Sequence, residues 1–119
     1  MCIRDRGKSN RKVAVNCFPL NSITAALGVS HVDYFSLDVE GPEIEILQTI
    51  DWTRLRIDVL SIEYRVYGEN MIGGHRPGTL KRLEDLRQFF DSTGFYREAG
   101  LIPNVSVEDN GIDVIFSRV

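Results

Sequence analysis

Residues 32–43 read VDYFSLDVEGPE, and the architecture of the chain can be worked out from this stretch. The first eight residues are almost continuously apolar, which is typical of a parallel strand covered on both faces. Gly41 then permits a sharp turn, and Pro42 followed by Glu43 favours a helix N-terminus. We therefore predict a strand over Val32–Val39 and a helix directly after it.

The same strand-to-helix design repeats further along the chain. Ile57–Tyr64 is a second mostly apolar strand, and it carries the acid Glu63 near its end. Thr79–Thr93 has a leucine and phenylalanine stripe at helical spacing, with Thr79 as the predicted cap. Phe95–Leu101 and Gly111–Arg118 are predicted to form an antiparallel hairpin.

Two shorter elements are predicted before residue 32. Val13–Phe18 is a short apolar run that suits a buried strand, and Ile23–Leu27 suits a helix of one to two turns that stops at Gly28. The predicted order is β-α-β-α-β-α-β-β. This order indicates an α/β fold with a mostly parallel sheet and a C-terminal antiparallel hairpin.

The composition limits the class of protein. The chain has 119 residues, of which 43% are hydrophobic and 26% charged, and this is enough for one globular domain. A net charge of -3 without a basic stripe argues against nucleic acid as a partner. Two cysteines are too few for a Cys-rich zinc cluster, and no metal site is predicted.

The first twelve residues differ from the rest of the chain. They hold five of the fourteen Lys and Arg residues and show no periodicity. We interpret residues 1–12 as a non-native or disordered leader, and residues 13–119 as part of a domain whose N-terminal portion is missing. No stretch approaches the roughly 18 apolar residues of a membrane span. Localisation stays open, because a membrane or secretory signal would lie in the missing segment.

Three acids lie at or just beyond the carboxyl ends of the predicted strands, where open α/β sheets bind ligands. Because alternate side chains point the same way, Asp38 and Glu40 are expected to face one crevice, joined by Glu63 if the two strands are neighbours. Three carboxylates would bind a cation, a basic group or a hydroxyl, and their repulsion would raise one pKa toward that of a general base. The alternative is that these acids only cap helix ends and stay in water.

Two further residues are weaker candidates. His75 lies in the long loop Arg65–Gly78 and is either a general base or a solvated side chain. Asn16, near the end of the predicted first strand, either lines a cofactor crevice or satisfies a backbone group.

Three segments carry a resemblance to a known family. Residues 32–47, residues 57–63 and residues 112–116 resemble the C-terminal half of the FkbM family of methyltransferases. The most specific element of this resemblance combines an acid pair, a glycine and a further acid, namely Asp38, Glu40, Gly41 and Glu43. The resemblance extends over about residues 13–119.

The resemblance implies a Rossmann-like fold that uses S-adenosylmethionine to methylate an oxygen of a small-molecule or sugar substrate. Taken together with this resemblance, the candidate catalytic residues are Asp38, Glu40, Glu63 and His75, and the candidate cofactor contacts are Asn16 and Asp38. The family's glycine-rich cofactor loop is absent, since the only dense glycine stretch, at residues 68–74, lacks the G-x-G-x-x-G spacing. We therefore expect an inactive fragment. The alternative is a non-catalytic domain like that of the Star trafficking factor, which lies behind a membrane anchor.

Overall fold

The computed structural model describes residues 14–70, 72, 76–102 and 112–119, together with the backbone of residues 2–3. The described elements are β1 (Cys2–Ile3), β2 (Ala14–Val15), α1 (Leu20–Ala26), β3 (His31–Leu37), α2 (Glu43–Gln48), β4 (Arg56–Glu63), α3 (Pro77–Thr93), β5 (Tyr96–Ile102) and β6 (Asp113–Arg118). They form a mixed α/β structure, as the sequence predicts.

The main sheet has four strands in the order β3-β4-β6-β5. Strands β3 and β4 are parallel, whereas β4 with β6 and β6 with β5 are antiparallel. The predicted hairpin is thus confirmed, but the prediction of a mostly parallel sheet is wrong. The reason is that β6 returns from the hairpin and inserts, antiparallel to both, between β4 and β5, which α3 connects, so β3 and β4 are the one adjacent parallel pair in the described sheet.

The predicted first strand is also corrected. Within the described part of the apolar run Val13–Phe18, the strand is limited to Ala14–Val15, and it pairs with Cys2–Ile3 in a separate two-stranded sheet. Both of its residues are exposed, so this run is not a buried strand of the main sheet. Apart from the backbone of Cys2–Ile3, the leader predicted at residues 1–12 lies outside the described residues and stays a prediction.

The hydrophobic core lies on one face of the main sheet. Cross-strand register aligns Leu37 with Ile62 and Ile62 with Val114, and all three are buried. Helices α2 and α3 contribute Leu47 and Phe90 to the same core, and the Phe90 ring centroid lies 4.2 Å from that of Phe116. At the end of β4 the alternate face of the sheet carries polar side chains, and this polar end of the sheet positions the candidate site.

The helix ends follow the predicted signals with small shifts. Helix α3 starts at Pro77 rather than Thr79 and ends at Thr93, before Gly94 at φ +70°. Instead of capping, the Thr79 hydroxyl accepts the Val66 N–H at 3.0 Å, and the Glu69 carboxylate accepts the N–H groups of Gly78 and Thr79. Among the described residues, none of the helices combines the length and the apolar character needed to span a membrane.

Candidate functional site

Asp38 and Glu63 come together where two parallel strands end. The register of β3 and β4 ends with the pair Leu37 and Ile62, so Asp38, the first residue after β3, falls beside Glu63, the last residue of β4. The expectation that these strands are neighbours is therefore confirmed. Asp38 is exposed, whereas Glu63 is only 2% exposed.

Glu63 has an environment that disfavours its charge. Burial raises the pKa of Glu63 above its ordinary value of 4.5, and the nearby Asp38 and Glu43 carboxyls raise it further. A hydrogen bond from the Tyr67 hydroxyl to Oε1, at 2.8 Å, acts in the opposite direction. The other oxygen, Oε2, is buried and has no hydrogen-bond partner in the structure. Such an oxygen can accept a proton or a hydrogen bond from a ligand.

Glu40 is not placed by strand alternation, because β3 ends at Leu37. Its backbone adopts φ +59°, which turns the chain sharply before α2. The Glu40 side chain lines a cleft of about 180 Å³, whose other lining residues are Arg65, Val66, Tyr67 and Arg82. Since the Tyr67 hydroxyl also contacts Glu63, this cleft lies beside the Asp38 and Glu63 pair.

Glu43 has a structural role that the sequence interpretation did not assign to it. It is fully buried, and its Oε1 accepts the backbone N–H groups of Val39 and Gly41, each at 3.1 Å. Its Oε2 accepts the Gly41 N–H at 3.0 Å and lies 3.9 Å from Nη1 of Arg82. Glu43 therefore fixes the turn that follows Asp38. A signal for this was present, since an acid follows a glycine by two residues at the strand-to-helix junction.

Asp113 is a further acid that the sequence interpretation did not select. It pairs with Glu63 across β4 and β6, so both side chains lie on the same face of the sheet. The hydroxyl of the buried Ser61 donates a hydrogen bond to Asp113 Oδ2 at 2.8 Å. The candidate site therefore combines acids from the ends of β3 and β4 with one from the start of β6.

Asn16 and His75 are the remaining predicted site residues. Asn16 is exposed and follows β2, which belongs to the separate two-stranded sheet. His75 lies outside the described residues, so its predicted role stays a prediction.

A group with metal-ligand chemistry lies at the opposite end of the parallel pair. His31, Asp33 and Asp58 place one ligand atom each within 4.8 Å of one another. Asp58 Oδ1 accepts from Nε of Arg56 at 2.7 Å, and Oδ2 lies 2.8 Å from His31 Nε2. Arg56 and His31 lower the pKa of Asp58 through these contacts. His31 and Asp33 are exposed and Asp58 is partly buried, and the Arg56 guanidinium beside the group already compensates the charge of Asp58.

Comparison with protein families gives a match over most of the chain. A family model described as the Methyltransferase FkbM domain matches residues 4–98. No curated protein and no solved structure shows significant similarity to the chain. The matched range includes Asp38, Glu40, Glu43 and Glu63, and it ends within β5.

Proposed function

Because this chain belongs to the FkbM methyltransferase domain family, we propose that it is part of an enzyme that methylates an oxygen of a small molecule or sugar with S-adenosylmethionine. The family match over residues 4–98 is the observation that carries the proposal. When bound, S-adenosylmethionine supplies a methyl group on a positively charged sulfur. The acids at the strand ends then have the task of placing the acceptor oxygen and removing its proton.

The chemistry of one exposed acid fits the cofactor. The Asp38 carboxylate lies at the carboxyl edge of the parallel strands, and it suits the hydroxyl or ammonium groups of S-adenosylmethionine. Asn16 is proposed as a second contact from its position in the apolar run Val13–Phe18 alone. The glycine-rich loop of the family is not present in the 119 residues, so we expect these contacts to be insufficient for tight binding.

We also propose that the chain is the C-terminal half of a Rossmann-like domain. The order β3-β4-β6-β5 supports this, because β3 is an outer strand whose second edge is available to the first strand of such a domain. The absence of a G-x-G-x-x-G sequence supports it as well.

Among the candidate acids, Glu63 is the one best suited to remove the proton of the acceptor hydroxyl. Its burial and its raised pKa make it a stronger base than an exposed acid, and its Oε2 atom has no hydrogen-bond partner. We assign Asp38 to orientation of the acceptor or the cofactor, and Glu40 to the adjoining cleft with Arg82. His75 is retained as a second proposed acid-base residue.

The test of this proposal uses the 119-residue chain and the intact gene product side by side. Calorimetry is expected to show no S-adenosylmethionine binding to the chain, whereas the intact protein transfers a labelled methyl group to members of a panel of sugars and hydroxylated small molecules. Micromolar binding by the 119-residue chain would contradict the C-terminal-half assignment. An upstream apolar span of about twenty residues, no glycine-rich loop and no methyl transfer would instead favour the non-catalytic Star-like role.

A further inference from the structure

Tyr67 makes a contact with Glu63 that the proposed reaction has not yet used. It lies four residues beyond Glu63, and its hydroxyl donates a hydrogen bond to Glu63 Oε1 at 2.8 Å. The side chain is 59% exposed, and the Arg65 guanidinium carbon lies 5.2 Å from the ring centroid. The phenol thus reaches from the adjoining cleft to a carboxyl group that is almost completely buried.

This hydrogen bond distinguishes the two oxygens of Glu63. Oε1 has the Tyr67 hydroxyl as a donor, whereas Oε2 is buried without a hydrogen-bond partner. The neighbouring Asp38 carboxylate offers Glu63 no donor unless one of the two acids holds a proton. A ligand hydroxyl that enters the site therefore meets Oε2 as the available acceptor.

The charged groups around Glu63 come from three elements besides its own strand. Asp38 follows β3, Glu43 starts α2, and Asp113 starts β6 directly opposite Glu63. The carboxyls of Asp38 and Glu43 raise the pKa of Glu63, and burial raises it most. The hydrogen bond from Tyr67 lowers it, because this bond stabilises the ionised form.

We infer that Tyr67 is a positioning residue for the proposed methyl transfer: its hydroxyl fixes Oε1 of Glu63 and leaves Oε2 to meet the acceptor hydroxyl. This inference rests on the proposed function. It assigns a role to a tyrosine outside the acidic signature. In turn, Glu63 raises the pKa of the Tyr67 phenol, as expected when the phenol proton is held by a carboxylate.

The substitution Tyr67→Phe tests this role, because it removes only the hydroxyl group. We expect the Glu63 carboxyl, followed by carbon NMR as the pH is changed, to titrate about one pH unit higher in this variant. Tyr34→Phe is the matched control, since Tyr34 is a similarly exposed tyrosine on β3, and it should leave the Glu63 titration unchanged. In the intact enzyme, kcat/KM rises with pH as the catalytic base loses its proton. This rise should occur at a correspondingly higher pH in Tyr67→Phe than in the wild type.

A second measurement covers the case in which the Glu63 signal is not resolved. The Tyr67 phenol should titrate closer to its ordinary pKa of 10.0 in Glu63→Gln than in the wild type. Unchanged titration of Glu63 in Tyr67→Phe, or of Tyr67 in Glu63→Gln, would overturn the inference. Neither titration needs cofactor or acceptor, so both can be measured even if the protein transfers no methyl group. Shifted titrations without methyl transfer would overturn the proposed function, and with it the catalytic role of this hydrogen bond.

Discussion

The Glu43 carboxylate receives the backbone N–H of Gly41 between its two oxygens, at 3.1 Å from Oε1 and 3.0 Å from Oε2. This contact spans a turn with unusual backbone angles, φ +59° at Glu40 and φ +144° at Gly41. Gly41 adopts its positive φ without a steric penalty, whereas the left-handed conformation of Glu40 has to be held by surrounding contacts. The buried acid therefore stabilises the turn that separates Asp38 from α2.

The first prediction concerns this buried acid. Glu43→Gln places an amide donor against the Gly41 N–H and removes charge-assisted hydrogen bonds, so we expect a loss of about 2 kcal/mol in the free energy of unfolding. Glu45→Gln, in the same turn of α2 but exposed, should change it by less than about 0.5 kcal/mol. Urea denaturation measures both, and equal losses in the two variants would contradict the structural role of Glu43.

The second prediction concerns the backbone of the same turn. Gly41→Ala meets no neighbouring atom within 4 Å, but φ +144° is a conformation that side chains rarely adopt. We therefore expect a loss of roughly 1–3 kcal/mol in the free energy of unfolding from backbone strain alone. Gly100→Ala is the control, since it also has open space and its φ lies outside the strained range. If the two variants lost the same free energy of unfolding, the backbone at position 41 would not require a glycine.

The secondary structure was predicted from the sequence in part. Helix α3 and the β5-β6 hairpin were predicted because their apolar periodicity and their bounding glycine and polar residues are local signals. The insertion of β6 between β4 and β5 was not, because strand order depends on contacts between distant segments. The prediction of a buried strand over Val13–Phe18 was wrong, because it relied on local apolar character alone.

The candidate site was likewise predicted in part. The neighbouring positions of Asp38 and Glu63 follow from parallel strands, which the apolar runs indicated. The position of Glu40 did not follow, because strand alternation ends at Leu37. The burial of Glu43 and the contact between Tyr67 and Glu63 depend on turn geometry, which a single sequence does not specify.

The third prediction concerns the loop before α3. Burial raises the pKa of Glu69, but hydrogen bonds from Gly78 and Thr79 outweigh it, so the pKa lies below its ordinary value of 4.5. A lowered pKa means that these bonds stabilise the fold above pH 4.5, and that this contribution is lost as the pH falls through the folded-state pKa. The Tm of Glu69→Gln should therefore fall less than that of the wild type on acidification below pH 4.5.

Glu84→Gln, on the exposed surface of α3, is the control for this prediction. Its Tm should fall on acidification as much as the wild-type Tm does. If the Tm of Glu69→Gln depended on pH as the wild-type Tm does, the charge of Glu69 would not stabilise the loop.

The fourth prediction concerns the stability cost of Glu63. Its raised folded-state pKa means that the protonated form favours the fold below pH 4.5, and that this advantage is lost as the pH rises through the folded-state pKa. Glu63→Gln stays neutral, so it should become more stable than the wild type as the pH is raised toward 8. Urea denaturation at a series of pH values measures this difference. If the difference in free energy of unfolding between Glu63→Gln and the wild type stayed constant over these pH values, the pKa of Glu63 would not be raised.

The most direct test of the account is methyl transfer from labelled S-adenosylmethionine by the intact protein and two matched variants. If Glu63 removes the proton of the acceptor hydroxyl, Glu63→Gln should lower kcat/KM by roughly 10²-fold or more, because general-base catalysis contributes at least that much. Glu45→Gln, which changes an exposed acid on α2, should retain wild-type transfer. Equal transfer by both variants would contradict the role of Glu63, and a folded wild-type protein that transfers no methyl group would contradict the proposed function.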